Sequence, residues 1–538
     1  MTAALAKPVT AFSPSKASHS SSLIDIQAVD NRRMHHALQI SEIMDLIVGE
    51  LALPSPCIQG KALAALATTC TIFHDIALDA LWRHQRNILN LIRCMPADLW
   101  ETVEEIRYRS TNRTLRRRRG VVASDWDRVS KYAHRIKSLV CFDSGDGKPH
   151  LFDVYQTLWQ DFPGDYLLPN LESLTWQHWK PSYSSFIELF LGPRITSIYV
   201  GAQDDDRCPA LAAVGQRYPD LVSATFLGLS VRSSASELQR LSTFIRALTR
   251  VESLKVEMID SEALRHLGQL TTLKMLHTTF PDWIAPPAME RSMFPALRDT
   301  HLSIDGDLSP FIAFMRTWNN PQIQSFSTVV DYPRDLQHVA DLYQVLATSC
   351  VQRHLETLKV YFDGHDRSFV PHPGHFFAHL LAFTYLRIVE IRVPGGYNLD
   401  DATISDMARA WPYIQKLELA ESSRRHDDPP GCTMLGLRFL AQQCSHLHSL
   451  RITLDASRIP PAAIDPAERV VQDELVYLDT TLSPISDPWS VARFISAIFP
   501  NATRLASSWD SNWDSTVRDQ HRQRWDTVRR TLERRRRR

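Results

Sequence analysis

One phrase, apolar-x-x-apolar-x-apolar, recurs along most of this chain and decides what it can fold into. Its apolar places are Ile136, Leu139 and Cys141; Leu171, Leu174 and Trp176; Ile195, Ile198 and Val200; Leu221, Ala224 and Phe226; and Val251, Leu254 and Val256. It continues as Leu297, Thr300 and Leu302; Leu355, Leu358 and Val360; Leu386, Val389 and Ile391; Ile414, Leu417 and Leu419; and Leu447, Leu450 and Ile452, with weaker copies starting at Leu273, Ile323 and Leu475. Proline often stands just upstream, as at Pro169, Pro219, Pro295 and Pro412, which favours an extended turn before each copy. A fixed motif repeated every twenty to forty residues is the signature of a stacked architecture.

The second and third apolar places are two residues apart, so a strand through them points both to one face and the residue between them to the other. One such unit cannot bury its apolar side; stacked units share a continuous core. Segments between strands, such as Leu238 to Leu248 and Phe376 to Phe383, have helical apolar spacing. The expected class is α/β, a solenoid with parallel strands inside and helices outside. In this it resembles leucine-rich repeats. The asparagine that regular leucine-rich repeats place three residues past the third apolar position is absent; Trp179, Ile259, Asp363, Ser422 and Asp455 stand there instead. No asparagine ladder is expected to tie the turns together.

Ahead of the repeats, Ile40, Ile43, Leu46, Ile47 and Leu51 recur at three- and four-residue steps, a helical apolar stripe that Ser41 can cap. Leu63, Leu66, Ala67, Cys70 and Phe73 repeat the stripe, and Ala77, Leu78, Leu81 and Trp82 form a third segment after an expected break near His74 and Asp75. Three short helices have little core of their own. Glu42-Ile43, then Leu63, Leu66, Cys70 and Phe73, then Leu81-Trp82 resemble an F-box. Ser41 stands where that family usually has proline, and residues 54–60 lengthen the first loop. Asp125-Trp126, Arg128, Tyr132-Ala133, Arg135-Ile136 and Leu139 are similar to a phrase found after the F-box in mushroom-type fungal F-box proteins. The organisation expected is therefore a disordered lead (1–33), an F-box-like helical domain (34–84), a helical linker with a basic loop (85–135), an irregular leucine-rich-repeat solenoid (136–510), and a C-terminal helix with a basic tail (511–538).

The 538 residues carry 60 basic and 60 acidic side chains. A zero balance argues against a dedicated nucleic-acid binder, and no apolar run reaches the length of a membrane span. Eight cysteines without a Cys-x-x-Cys pair fit reduced thiols in cytoplasm or nucleus. Arg116 to Arg119 and Arg534 to Arg538 read as solvated, mobile segments or, alternatively, as a nuclear-import signal or a site for an anionic partner.

Catalytic motifs are missing: there is no phosphate-cradling loop, no His-Glu-x-x-His and no Gly-x-Ser-x-Gly. His372, His375 and His379 have metal-like spacing, the last two on one helix face, but the flanking Phe376, Phe377 and Leu380 favour packing. The Asp204 to Asp206 run reads as a solvated loop. No cofactor and no metal site is expected, and the chain is not expected to be an enzyme.

The F-box resemblance implies a non-catalytic substrate-recognition adaptor of a Skp1-cullin-F-box ubiquitin ligase. Leu38, Ile40, Ser41, Ile43, Ile47, Leu66 and Trp82 would then face Skp1, and the repeats would hold a protein target. The alternative is a leucine-rich scaffold outside any ligase. On the repeats, the residue between the last two apolar places points to the open face; Thr175, Tyr199, Lys255, His301, Lys359, Glu390, Glu418 and Arg451 are the candidate target-binding residues.

Overall fold

The computed structural model describes residues 40–51, 56–107, 110–142, 149–178, 181–201, 214–228, 235–281, 293–318, 322–331, 335–350, 353–363, 371–393, 395–421, 429–460, 470–509 and 515–536. The chain divides into two compact units, the first ending at Trp82 and the second beginning at Arg83.

In the first unit, α1 (Ser41–Leu51), α2 (Pro56–Ala67) and α3 (Thr71–Arg83) surround a small core of Met44, Val48 and Leu63, with Leu66, Phe73, Ile76, Ala80 and Leu81 against it. Two expectations are corrected. The Ile40 carbonyl accepts the Met44 amide at 3.1 Å, so Ile40 stands at the cap and Ser41 is the first helical residue. The helix break lies at Thr68 to Cys70, not at His74: the Thr68 and Thr69 hydroxyls close the end of α2 on the carbonyls of Ala65 and Leu66 at 2.8 and 2.7 Å. His74 Nδ1 donates to the Ala67 carbonyl at 2.8 Å from within a continuous α3.

The second unit is a leucine-rich-repeat-type solenoid built on one 15-stranded parallel sheet. Its strands, in spatial as in chain order, are His84–Gln85, Ser138–Phe142, Ser173–Gln177, Ser197–Gly201, Ser223–Leu227, Ser253–Met258, Met275–Pro281 and Asp299–Asp305. Then follow Ser325–Asp331, Thr357–Asp363, Ile388–Val393, Lys416–Glu421, Ser449–Ile452, Tyr477–Asp479 and Arg504–Ala506. From Ser138 onward each strand starts at the third place of the phrase, and the register keeps equivalent places opposite each other: Leu139, Leu174, Ile198, Ala224 and Leu254 form one row. That row is buried; each leucine-sized side chain so placed contributes about 1.5–3 kcal/mol.

The missing asparagine has a main-chain substitute. The carbonyl at the second place of each phrase accepts two amides from the next turn, those of its second and third places. Glu172 and Ser173 donate to Lys137 at 2.8 and 3.0 Å, Arg387 and Ile388 to Glu356 at 2.7 and 3.0 Å, and Val476 and Tyr477 to His448 at 3.0 and 3.1 Å. The pattern runs without a break from Lys137 to Arg504.

Helices cover the apolar side, several capped by an acid one residue before their start. Asp260 accepts from the Ala263 amide, Asp307 from Ser309, Asp400 from Thr403 and Asp487 from Trp489. Gly306, at φ 93°, turns the Asp299–Asp305 strand into the Asp307 cap, a left-handed conformation that suits glycine. The expected helix at Leu238 to Leu248 is present as Ala235–Ala247, while Phe376 to Phe383 is mostly a 3-10 helix, Gly374–Ala382, with Phe383 just past its end.

The linker after the first unit is not the expected helical one. Trp100–Arg107 and Ser110–Arg117 form an antiparallel hairpin, and only short helices, Leu89–Ile92 and Asp127–Ala133, flank it. The basic run is not a mobile loop either. Arg116 and Arg117 sit in the hairpin, opposite Glu101 and Trp100. Arg117 pairs with Asp161, Arg118 with Glu101 at 3.7 Å, and Arg119 with both Asp98 and the buried Asp125 at 2.7 Å. At the other end, Arg534 and Arg535 belong to the helix Ser515–Arg536 rather than to a mobile tail.

Replacing Leu254, fully buried in the apolar row, with alanine is expected to cost about 2–5 kcal/mol. Urea unfolding of Leu254→Ala checks this, and unchanged stability would contradict the register.

Candidate functional site

The sheet's face away from the helices brings all eight repeat candidates into one row. Register places Thr175 beside Tyr199, Thr225 and Lys255, then His277 and His301, then Ser327, Lys359, Glu390, Glu418, Arg451 and Asp479. His277, Ser327 and Asp479 were missed because they belong to the weak copies. In those the third apolar place is a threonine, Thr278, Thr328 or Thr480, each buried. Thr328 satisfies its hydroxyl on the Leu302 carbonyl of the neighbouring strand at 2.7 Å.

The row has two characters. Its N-terminal half has Lys255 as its one charged side chain: Thr175, Tyr199 and Thr225 run beside a second row of serines, Ser138, Ser173, Ser197, Ser223 and Ser253, in register at the strand starts. Gln177 Nε2 donates to the Tyr199 hydroxyl at 3.2 Å. Lys255 is exposed here. In the centre the rings of His277 and His301 lie 5.4 Å apart. His301 Nδ1 is 2.8 Å from Ser327 Oγ. Burial first holds both imidazoles below the usual histidine value; Lys255 adds to it at His301, and His301 and then Lys255 add to it at His277, against an opposing pull from Asp299 on each.

The C-terminal half is charged and self-neutralised. Glu390 and Glu418 were expected to face solvent, yet they are only 4% and 8% exposed. Glu390 lies between Lys359 at 3.2 Å and Lys416 at 3.0 Å and takes the Tyr361 hydroxyl on its other oxygen. Lys416 also reaches Glu418 at 2.9 Å, and Arg392 closes the group on Glu418 at 3.4 Å while lying 4.9 Å over the Tyr361 ring. Arg451 pairs with Asp479 at 3.3 Å. The long cationic stems cover the carboxylates, which is why these row positions are buried. Burial works against ionisation of Glu390, but hydrogen bonds from Tyr361, Lys416 and Lys359 outweigh it and hold the carboxyl at about 2. Tyr361 and Arg392, one alternation further along their strands, complete the network; the continued apolar-polar alternation of Thr357–Asp363 is the signal that marks them.

On the first unit, the candidate partner residues separate. Leu38 lies outside the described residues. Ile40 and Ile47 are 36% and 38% exposed, and Leu46 beside them is 71% exposed. Ile43, Leu66 and Trp82 are half-buried, and Ser41 opens α1. The core is not built by the stripe read from sequence: Met44 and Val48, one turn apart and outside that stripe, face the core, while Ile40, Leu46 and Ile47 of the stripe face solvent.

The histidine cluster does not assemble as spaced. His372 is buried in the short strand His372–Pro373, against Phe362 and Phe376. His375 and His379 lie on a 3-10 helix, where residues three apart align and residues four apart do not. Phe376, Phe377 and Leu380 are buried. The Asp204 to Asp206 run lies outside the described residues. Among the described residues no group of three or more His, Cys, Asp or Glu side chains is placed to hold a metal ion, and no helix is long and apolar enough to cross a membrane.

No protein-family model and no curated protein sequence matches the chain. Among solved structures, a leucine-rich-repeat protein of Leptospira interrogans is similar over 74% of this chain and 91% of its own, at 10% identity and a TM-score of 0.31. The yeast Rad7 and Elc1 complex is similar over 88% of this chain and 90% of the matched one, at 12% identity and a TM-score of 0.30. At such values the fold assignment rests on the strand register and the carbonyl ladder themselves.

The Glu390 network sets an acid dependence. With its folded-state value near 2 against an ordinary 4.5, its contribution is complete above about pH 4.5 and is lost as pH falls toward 2. Glu390→Gln is expected to lose roughly 1.5–3 kcal/mol at pH 7. Urea midpoints from pH 7 to 2.5 should show the gap between the two proteins closing below pH 4.5; a gap that stays constant would contradict the network.

Proposed function

We propose that the chain is the substrate-recognition adaptor of a Skp1-cullin-F-box ubiquitin ligase, with the three-helix unit as its F-box and the repeats as the holder of a protein target. The observation that carries this reading is the outward apolar face of α1. A three-helix unit that has already built its core from Met44, Val48 and Leu63 still leaves Ile40, Leu46 and Ile47 in water. Clustered branched side chains so placed mark a surface that another protein covers. The F-box resemblance assigns Skp1 to that surface, with Ser41, Ile43, Leu66 and Trp82 as further contact candidates; Leu38, the remaining one, lies outside the described residues.

The chain then acts by proximity rather than by bond chemistry. A target bound along the sheet row has its lysines held near a charged conjugating enzyme, which raises their effective concentration. The N-terminal half of the row, around Thr175, Tyr199 and Lys255, is the part a target can cover without breaking existing ion pairs. The chain works in the cytoplasm or nucleus, where such ligases operate.

Co-purification of the tagged chain with Skp1 and cullin, compared with the double variant Ile43→Asp and Ile47→Asp, tests this. The wild type is expected to bring down both partners and the variant neither, with the melting temperature of the solenoid unchanged. Absence of binding by the wild type would move the assignment to a leucine-rich scaffold outside any ligase.

A further inference from the structure

The zero net charge conceals a segregation. From Ser515 to Arg538 there are ten arginines against three acids, a formal +7, so the preceding 514 residues carry −7. Ser515–Arg536 is a single helix of 22 residues. One face is fixed to the preceding repeat: Trp525 and Val528 are buried, and Trp525 Nε1 donates to the Ser483 carbonyl at 2.8 Å. Arg524 donates to the Ile485 carbonyl at 2.7 Å, and His521 Nδ1 accepts the Ile485 amide at 3.1 Å.

The opposite face carries Arg522, Arg530 and Arg534, all exposed, with Asp526, which Arg529 holds, and the exposed Glu533 in the same arc. The three arginines fall within an arc of about 120° at about 100° per residue and follow one another at about 12 and 6 Å along the axis at about 1.5 Å per residue. Arg518 and Arg529 have acidic partners, Asp519 at 3.5 Å and Asp526 at 2.6 Å. Among the described residues Arg522, Arg530 and Arg534 have none. The contrast with the hairpin arginines is direct, since Arg117, Arg118 and Arg119 are each matched by an acid.

We propose that this helix face is a docking site for the phosphate backbone of a nucleic acid. A guanidinium fits a phosphate bidentately. The anchored helix holds three of them in one arc before any ligand arrives. From Arg522 to Arg534 every exposed residue is polar or charged, so the face lacks the apolar centre that a protein interface requires. A duplex carries a charge about every 1.7 Å of its axis, dense enough to meet all three arginines in any register. Because the opposite side is held by the solenoid, the helix lies along the backbone and reads no base sequence.

Fluorescence anisotropy of the full chain with a labelled 20-base-pair DNA duplex, and with the RNA duplex of the same sequence, tests this between 50 and 200 mM salt. Binding is expected for a duplex, with a log-log salt slope of about −3 at roughly −0.9 per phosphate met. The triple change Arg522→Gln, Arg530→Gln and Arg534→Gln, at exposed positions, is expected to weaken binding at least ten-fold and remove most of that slope. A preference between the two duplexes would support the site and identify its source of phosphate. No binding of either duplex at 50 mM salt would overturn the proposal, as would a triple variant that binds like the wild type. So would polyglutamate competing as well as nucleic acid at equal charge, which would point to an acidic protein instead.

Discussion

A carbonyl shared by two amides is the interaction on which the solenoid depends. At each turn the second-place carbonyl accepts the amides of the next turn's second and third residues, from Lys137 through Arg504. This bond is made entirely by the main chain, so the side chain at that place is free to vary. It is lysine, glutamate, threonine, valine, arginine, glutamine or histidine in different turns. An asparagine ladder performs such a tie with side chains and therefore leaves a mark in the sequence. The main-chain version leaves none, and it sets the register that puts each turn's apolar places beside those of the next.

That register also decides the chemistry of the opposite face. Once Lys359, Glu390, Glu418 and Arg451 are forced into adjacent places about 4.8 Å apart, like charges would repel and alternate ones attract. Lys416, from the strand start, and Arg392, from the next alternation, bring the two glutamates a full set of donors. The result is a face whose charge-rich half is occupied with itself and whose other half, with its row of serines and the single Lys255, is open to hydrogen bonding. Desolvating the first half would require breaking pairs; desolvating the second would not.

Most of the sheet was legible because burial writes the pattern: the apolar places at Leu174 and Trp176, or at Leu358 and Val360, exist to fill the core. Legibility failed where burial is partial. The end strands His84–Gln85 and Arg504–Ala506 cover one side only, and neither has an apolar residue at the third apolar place, where Asn87 and Ser507 stand. In the hairpin, Arg116 and Arg117 belong to a strand whose partner supplies acids, a fact that lies in the pairing and not in either segment. On α1, periodicity picked out Ile40, Ile43, Leu46 and Ile47 but could not tell that the core lies on the neighbouring line of Met44 and Val48. Apolar residues meant for the unit's own core and those left in water have the same composition and differ only in angle around the helix.

Net charge fails as a descriptor here for a related reason. The two arginine-rich segments look alike in sequence, yet the antiparallel hairpin sets its arginines against a strand containing Glu101 and Glu104, so the charges cancel locally. Among the described residues the terminal helix packs on one surface, which takes Trp525, Val528 and the hydrogen-bonding heads of His521 and Arg524. A helix packed on one side must present the rest of its circumference to solvent, and its three acids are too few for its arginines. The balancing negative charge belongs to the preceding 514 residues, and salt screens whatever part of it lies more than about 10 Å away. What acts on a ligand near Arg530 is therefore the local field of the helix, and the chain's zero sum has no bearing on it.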